Sequence, residues 1–212
     1  MKFSPLLLAA LMLGGCISLL PKPPPPPTTF VLEARDVAQL SGTPIDAVLG
    51  VSSPTGERAL LGTDMIWRTG DTIAYVSQAA WSSRAEVGLQ QMLAETVIRQ
   101  GRFRSSTRSG EAQADYEIRW DVLDFEVRQE DMKAHFSAEV RIVGPGRRIL
   151  ASQIISTDAP VSSRSQTQAA DALARAAREG CARIGEFAAN AAAEAEASTV
   201  TGDHTNAASI NR

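Results

Sequence analysis

Residues 116–127 read Tyr116-Glu117-Ile118-Arg119-Trp120-Asp121-Val122-Leu123-Asp124-Phe125-Glu126-Val127, and their two-residue rhythm decides the fold. Tyr116, Ile118, Trp120 and Val122 alternate with Asp115, Glu117, Arg119 and Asp121. A strand with one face in a core and the other in water requires this alternation. The rhythm then slips by one residue, so that Leu123, Phe125 and Val127 become the apolar set. An uncorrected slip would turn half the strand's apolar side chains to water, so a β-bulge is expected near Val122 and Leu123.

Downstream, Ala134, Phe136, Ala138, Val140 and Ile142 alternate with His135, Ser137, Glu139 and Arg141. Gly144-Pro145-Gly146 supplies a turn, and Ile149 to Thr157 a further strand. Three consecutive strands joined by short polar turns make an antiparallel meander. Upstream, Phe30-Val31-Leu32 reads as a short strand, and Ile45, Ala47, Leu49 and Val51 as a half-buried one. Met65-Ile66-Trp67-Arg68, Gly70-Asp71 and Ile73-Ala74-Tyr75-Val76 form a hairpin pattern with a tight turn.

Two helices complete the domain. Ser83-Arg84-Ala85-Glu86 fits a capping box, and Ala85, Leu89, Met92, Leu93, Thr96 and Val97 share one face up to the stop at Gly101. A second helix runs from about Ser165 to Ala189, with Ala169, Leu173, Ala176, Ala177, Ile184 and Phe187 on its apolar face. Cys181 lies on the same stripe and reads as a small buried hydrophobe. Residues 191–212 lack an apolar period and are expected to be a disordered tail. The expected class is α+β, an antiparallel sheet with two long helices packed on it, over a domain spanning residues 28–190.

Ahead of this domain, Lys2, the apolar run Leu6 to Leu13 and the small pair Gly14-Gly15 precede Cys16. The run is shorter than the roughly 20 residues that cross a bilayer, so residues 1–15 read as a cleaved secretory signal. Leu13-Gly14-Gly15-Cys16 resembles the bacterial lipobox, which implies that Cys16 carries lipid and becomes the mature N-terminus. An ordinary signal peptide with an incidental cysteine is the bland alternative. Pro21 and Pro23 to Pro27 fall within residues 16–27, a stiff stalk giving roughly 20 Å of standoff at about 3.1 Å per residue. In well-studied Gram-negative bacteria an Asp after the lipidated cysteine retains the protein at the inner membrane. Ile17 in that place implies the inner leaflet of the outer membrane, with the domain in the periplasm.

A net charge of -3, with 44% hydrophobic and 21% charged residues, describes an ordinary globular protein with no electrostatic case for nucleic acid. His135 and His204 are isolated, which argues against a metal site. Neither a nucleophile elbow nor a phosphate-cradling loop occurs, so no catalytic residue and no cofactor site is assigned. Asp115, Glu117 and Asp121 read as a solvated strand face, although a hydrolase built on paired carboxylates would use the same residue types. Of the three tryptophans, Trp120 belongs to the strand alternation and so to the core. Trp67 on the hairpin and Trp81 ahead of the first helix are candidates for a partner surface, since aromatics dominate interface hot spots. A hydrophobic staple is the structural alternative for Trp81.

From about residue 28 to 190 the order of these pieces resembles the ABC-type transport auxiliary lipoprotein family, which includes the paraquat-inducible C-type lipoproteins. The resemblance is carried by the lipobox, Phe30-Val31-Leu32, Trp67-Arg68, Ile73-Ala74-Tyr75, Trp81, Gly101-Arg102-Phe103, Ala114-Asp115-Tyr116 and Leu123-Asp124-Phe125. The chain departs from the family pattern in flanking Trp81 with Ala80 and Ser82. The resemblance implies a non-enzymatic accessory component of a lipid transport system between inner and outer membranes. Its implied partners are an ABC permease and ATPase, a protein of the mammalian-cell-entry type, and the outer membrane through the lipid anchor. A ring-shaped homo-oligomer rests on the resemblance alone. The alternative is a structural or assembly lipoprotein that supports an outer-membrane protein with no ABC partner.

Overall fold

A computed structural model describes residues 25–209, with side-chain surroundings to Ser198. The signal, Cys16 and most of the stalk lie outside the described residues, as does the side chain of His204. In chain order the elements are β1 (Thr28–Phe30), β2 (Ile45–Val51), β3 (Thr55–Gly56), β4 (Asp64–Thr69), β5 (Thr72–Trp81), α1 (Ala85–Gln100), β6 (Phe103–Arg108), β7 (Tyr116–Arg128), β8 (Lys133–Val143), a 3-10 turn (Pro145–Arg147), β9 (Ile149–Pro160) and α2 (Gln166–Ser209). The class is α+β, one large sheet carrying two helices.

β7 organises the sheet. One edge pairs with antiparallel β8 from Glu117 opposite Val143 to Arg128 opposite Lys133. The register shifts between Val122 and Asp124, which leaves Leu123 as the extra residue, 46% exposed. The bulge therefore lies where the slipped alternation requires it, and it returns Phe125 and Val127 to the core. β9 pairs antiparallel with β8 and closes the meander. The other edge of β7 is shared in succession by β2, β3 and β4, all parallel to it. β6 lies parallel beside β2, β5 antiparallel beside β4, and β1 parallel beside β5.

The sheet is thus mixed, and the antiparallel expectation holds for the meander and the β4–β5 hairpin. Parallel neighbours need a crossover, and the hairpin with α1 supplies one between β2 and β6. Gly70, at φ +55°, forms the two-residue hairpin turn with Asp71.

α1 ends as expected, with Gly101 left-handed at φ 71° and its amide bonded to the Ile98 carbonyl. Its start differs from the capping box. Arg84 stands at the cap position without a side-chain cap bond, and the Ala85 and Glu86 amides donate to the carbonyls of Gly62 and Leu61 at 2.8 and 3.3 Å. The loop before β4 satisfies the helix start, and Glu86 instead accepts from Ser53 and Arg84.

α2 packs on β8, β9 and α1 through an alanine-rich stripe that reaches Ala191 and Ala192, both in the core. The expected disordered tail is accordingly corrected, because the helix continues to Ser209. Residues 191–197 are alanine and glutamate apart from nothing else, a composition with strong helix propensity and no large apolar residue to mark the period. Small residues also set the depth of packing. A Cβ at Gly180 would lie 2.3 Å from the Phe136 ring, and one at Gly185 2.1 Å from Gln100 Oε1. Cys181 is a buried free thiol, and burial pushes its pKa up to about 12. No helix among the described residues is long and apolar enough to cross a membrane.

Candidate partner-docking surface

The three tryptophans have separate environments. Trp120 is buried in β7, and its indole N–H donates to the Ser52 carbonyl at 2.9 Å. Trp81, at the end of β5, is 3% exposed and stacks on Phe125. Its candidacy for a partner surface is therefore corrected. Phe125, returned inward by the bulge, covers one side of the ring, and the backbone amide of Trp81 is tied to the Thr63 carbonyl at 2.7 Å.

Trp67 remains at the surface. The register irregularity of β4 between Asp64 and Ile66 breaks the alternation and leaves the adjacent Met65 and Ile66 both buried, while Trp67 is half-buried further along the strand. Its indole N–H donates to Gln129 Oε1 at 2.9 Å. The same oxygen accepts from Arg164 Nε at 2.6 Å, which holds the guanidinium over the indole, 5.5 Å from the ring centroid. This is cation–π geometry. Trp67, Thr69, Ala74, Tyr75, Val76 and Arg164 line an open groove of about 520 Å³. Tyr75 is 57% and Ile73 45% exposed. The sequence signal for Trp67 was its hairpin position; Arg164 and Gln129, each from a different loop, had none.

The carboxylates of the meander are engaged by arginines. Glu117 pairs with Arg119 at 2.8 Å, and Asp121 with Arg141 at 2.8 Å. Asp115 accepts from the Val48 amide at 2.8 Å. Glu126 departs from the solvated pattern, being 1% exposed. Its Oε1 accepts from Arg68 Nε at 2.7 Å and Arg128 Nε at 3.1 Å, and its Oε2 has no partner. The hydrogen bond from Arg68 to Glu126 raises the Arg68 pKa, with charge attraction second. This ion pair fastens β4 to the middle sheet directly beneath the hairpin. His135 Nε2 lies 2.8 Å from Asp131 Oδ2.

Residues 30–185 match the family model described as ABC-type transport auxiliary lipoprotein component. The chain belongs to that family. It is an auxiliary lipoprotein of ABC-type transport, and membership brings a membrane-anchored, periplasmic location and an association with an ABC transporter. No curated protein matches the auxiliary lipoprotein's sequence. Its fold is similar to the crystal structure of protein XCC0632 from Xanthomonas campestris, of the DUF330 family model, with TM-score 0.73 and 19% identity over 80% of this chain and 99% of that one. A second crystal structure, of an uncharacterized protein, gives TM-score 0.63 and 14% identity over 77% of this chain and 99% of that one. At these identities the likeness concerns the fold.

Proposed function

We propose that the auxiliary lipoprotein is a non-catalytic docking component of an ABC-linked lipid transport system of the mammalian-cell-entry type. Acylated Cys16 holds it at the inner leaflet of the outer membrane, and the proline stalk carries the domain into the periplasm. The domain meets the membrane-anchored partner of the permease and ATPase, in a single copy or as a ring of copies. The observation that carries this reading is the Trp67 groove, an apolar, aromatic-centred surface in a family whose members serve ABC transporters. The pairing of Glu117 with Arg119 and of Asp121 with Arg141, and the backbone amide that Asp115 accepts, support a structural role for these carboxylates.

Trp67→Ala in the full-length lipoprotein tests the reading. The variant should fold and remain membrane-bound yet lose at least tenfold of its co-purifying permease, ATPase and mammalian-cell-entry subunits. Undiminished co-purification would move the docking surface elsewhere.

A further inference from the structure

Residues 72–75 of β5 pair on one side only, with β4, because β1 covers the other side no further than Ala79 and residues 76–79 bulge out of the β4 register. The reason lies in the stalk. β1 runs parallel to β5 with Thr28 opposite Ala79. Immediately before Thr28 the chain reads Pro25-Pro26-Pro27, and just before Ala79 the backbone of Gln78 leaves the extended region at φ 57°. Proline has no amide to donate, so the stalk cannot lengthen β1 along this edge. Pro25, Pro26 and Pro27 accordingly stand exposed.

The open edge is chemically prepared for a strand. In a hairpin closed by Thr69 and Thr72, alternate residues face the partner strand, which turns the amides and carbonyls of Ile73 and Tyr75 outward. Exposed edges are usually blunted by charge, proline or a covering segment. Thr72-Ile73-Ala74-Tyr75-Val76-Ser77 contains no charge and no proline. At the far end the Gln166 amide, oriented to donate, lies 2.8 Å from the Gln78 carbonyl oxygen and closes the edge there.

Charge selects the occupant. Arg164 stands in the Trp67 groove, and Arg58 in a second hollow formed with Ala59, Asp64, Tyr75 and Arg84. Tyr75 borders both hollows. Among the described residues neither Arg58 nor Arg164 is ion-paired, whereas Arg84 pairs with Glu86 at 2.9 Å. Two guanidinium groups without an ion pair, Arg164 held by Gln129 over Trp67, thus flank an uncharged strand edge, with Asp64 beside Arg58 and Asp71 and Glu130 at the hairpin turn.

We infer that the free edge of β5 takes an extended acidic segment of the transport partner as an added strand. The segment's backbone pairs with Ile73 and Tyr75, its apolar side chains enter the Trp67 groove, and its carboxylates meet Arg58 and Arg164. Main-chain bonds supply affinity in this mode, and pockets for alternate side chains supply selectivity. The inference rests on the docking reading above and names how that partner binds.

The test replaces Ile73 by a photo-crosslinking phenylalanine analogue in the full-length lipoprotein in its own envelope, with the adduct mapped by mass spectrometry. The expected adduct falls on a segment rich in Asp or Glu within a subunit of the ABC system. Its yield drops at least tenfold with Arg58→Glu plus Arg164→Glu, and with Tyr75→Pro, which removes an outward amide, but not with Tyr75→Phe. Should Tyr75→Pro fail to fold, the charge-reversed pair on exposed side chains decides alone. An adduct on a second copy, on lipid or on a basic segment overturns the inference, as does a yield unmoved by charge reversal. Absence of adduct while the transporter still co-purifies sinks the edge inference and leaves the docking reading intact. Absence of both sinks both.

Discussion

The ring of Trp81 lies on that of Phe125, centroids 5.7 Å apart and planes 15° from parallel. The contact joins the end of β5 to β7 just past the bulge, and Phe125 meets Phe136 edge-on at 6.2 Å in turn. Phe125 points inward only because Leu123 absorbs the one-residue slip. Phe125→Ala should therefore cost about 3–5 kcal/mol, the range for deleting a buried aromatic. Leu123→Ser, at an exposed bulge position, should stay within about 0.5 kcal/mol. Urea melts of the two variants check this, and equal losses would contradict it.

Close approach of α2 to the sheet depends on Gly180. A methyl there would meet the Phe136 ring at 2.3 Å, a distance that requires the helix or the ring to move. Gly180→Ala should lose about 1–3 kcal/mol despite the better helix propensity of alanine, because overpacking outweighs propensity at this site. A thermal melt showing stabilisation would refute the packing account.

Glu126 is a buried charge held by two arginines from different strands. Glu126→Ala should cost about 1.5–3 kcal/mol through the lost charge-assisted hydrogen bonds, since Arg68 and Arg128 keep access to water and Arg128 keeps Asp124. Glu117→Gln, whose ion pair with Arg119 is largely solvated, should cost at most about 1 kcal/mol. Chemical denaturation of both variants measures the contrast.

Cys181 gives a pH signature. Its folded pKa is raised from 9.0 to about 12 by burial. The folded state binds this proton more tightly, so the associated stability is whole below about pH 9 and is lost as pH rises toward 12. A disulfide-exchange reagent at pH 8 should react with Cys181 only as fast as the protein opens, and Cys181→Ala should flatten the alkaline fall in stability. Rapid labelling of the native protein would contradict the burial.

The length of α2 is testable by truncation. Ending the chain after Asn190 removes Ala191 and Ala192, both core residues. The truncated domain should melt several degrees lower, whereas ending it after Ser198 should change the melting temperature little.

Period-two segments were the most legible parts of this chain. β7 and β8 follow from alternation, the hairpin and β9 from the turns at Gly70-Asp71 and Gly144-Pro145-Gly146, and even the bulge appears as a phase slip at Val122 and Leu123. Partner choice was less legible, because β2, β3 and β4 are short and their parallel pairing with β7 depends on contacts remote in sequence. Trp81 reads as a surface candidate because no local pattern marks the end of β5 as buried. Its true neighbour, Phe125, is visible only after folding. The end of α2 was hidden by alanines, which fill a helix–sheet seam without producing an apolar period. Within the docking surface, Trp67 stood out as an aromatic on a hairpin, while Arg164 and Gln129 carried no local signal.

The central claim is that an acylated, non-catalytic domain joins an ABC-linked lipid transporter to the outer membrane. Quantitative mass spectrometry of the intact lipoprotein, affinity-purified from separated inner and outer membranes, tests this most directly. The account predicts a fatty-acylated Cys16 in the outer-membrane fraction, with permease, ATPase and mammalian-cell-entry subunits enriched. An unmodified N-terminus, or acylated protein with none of those subunits enriched, would contradict it.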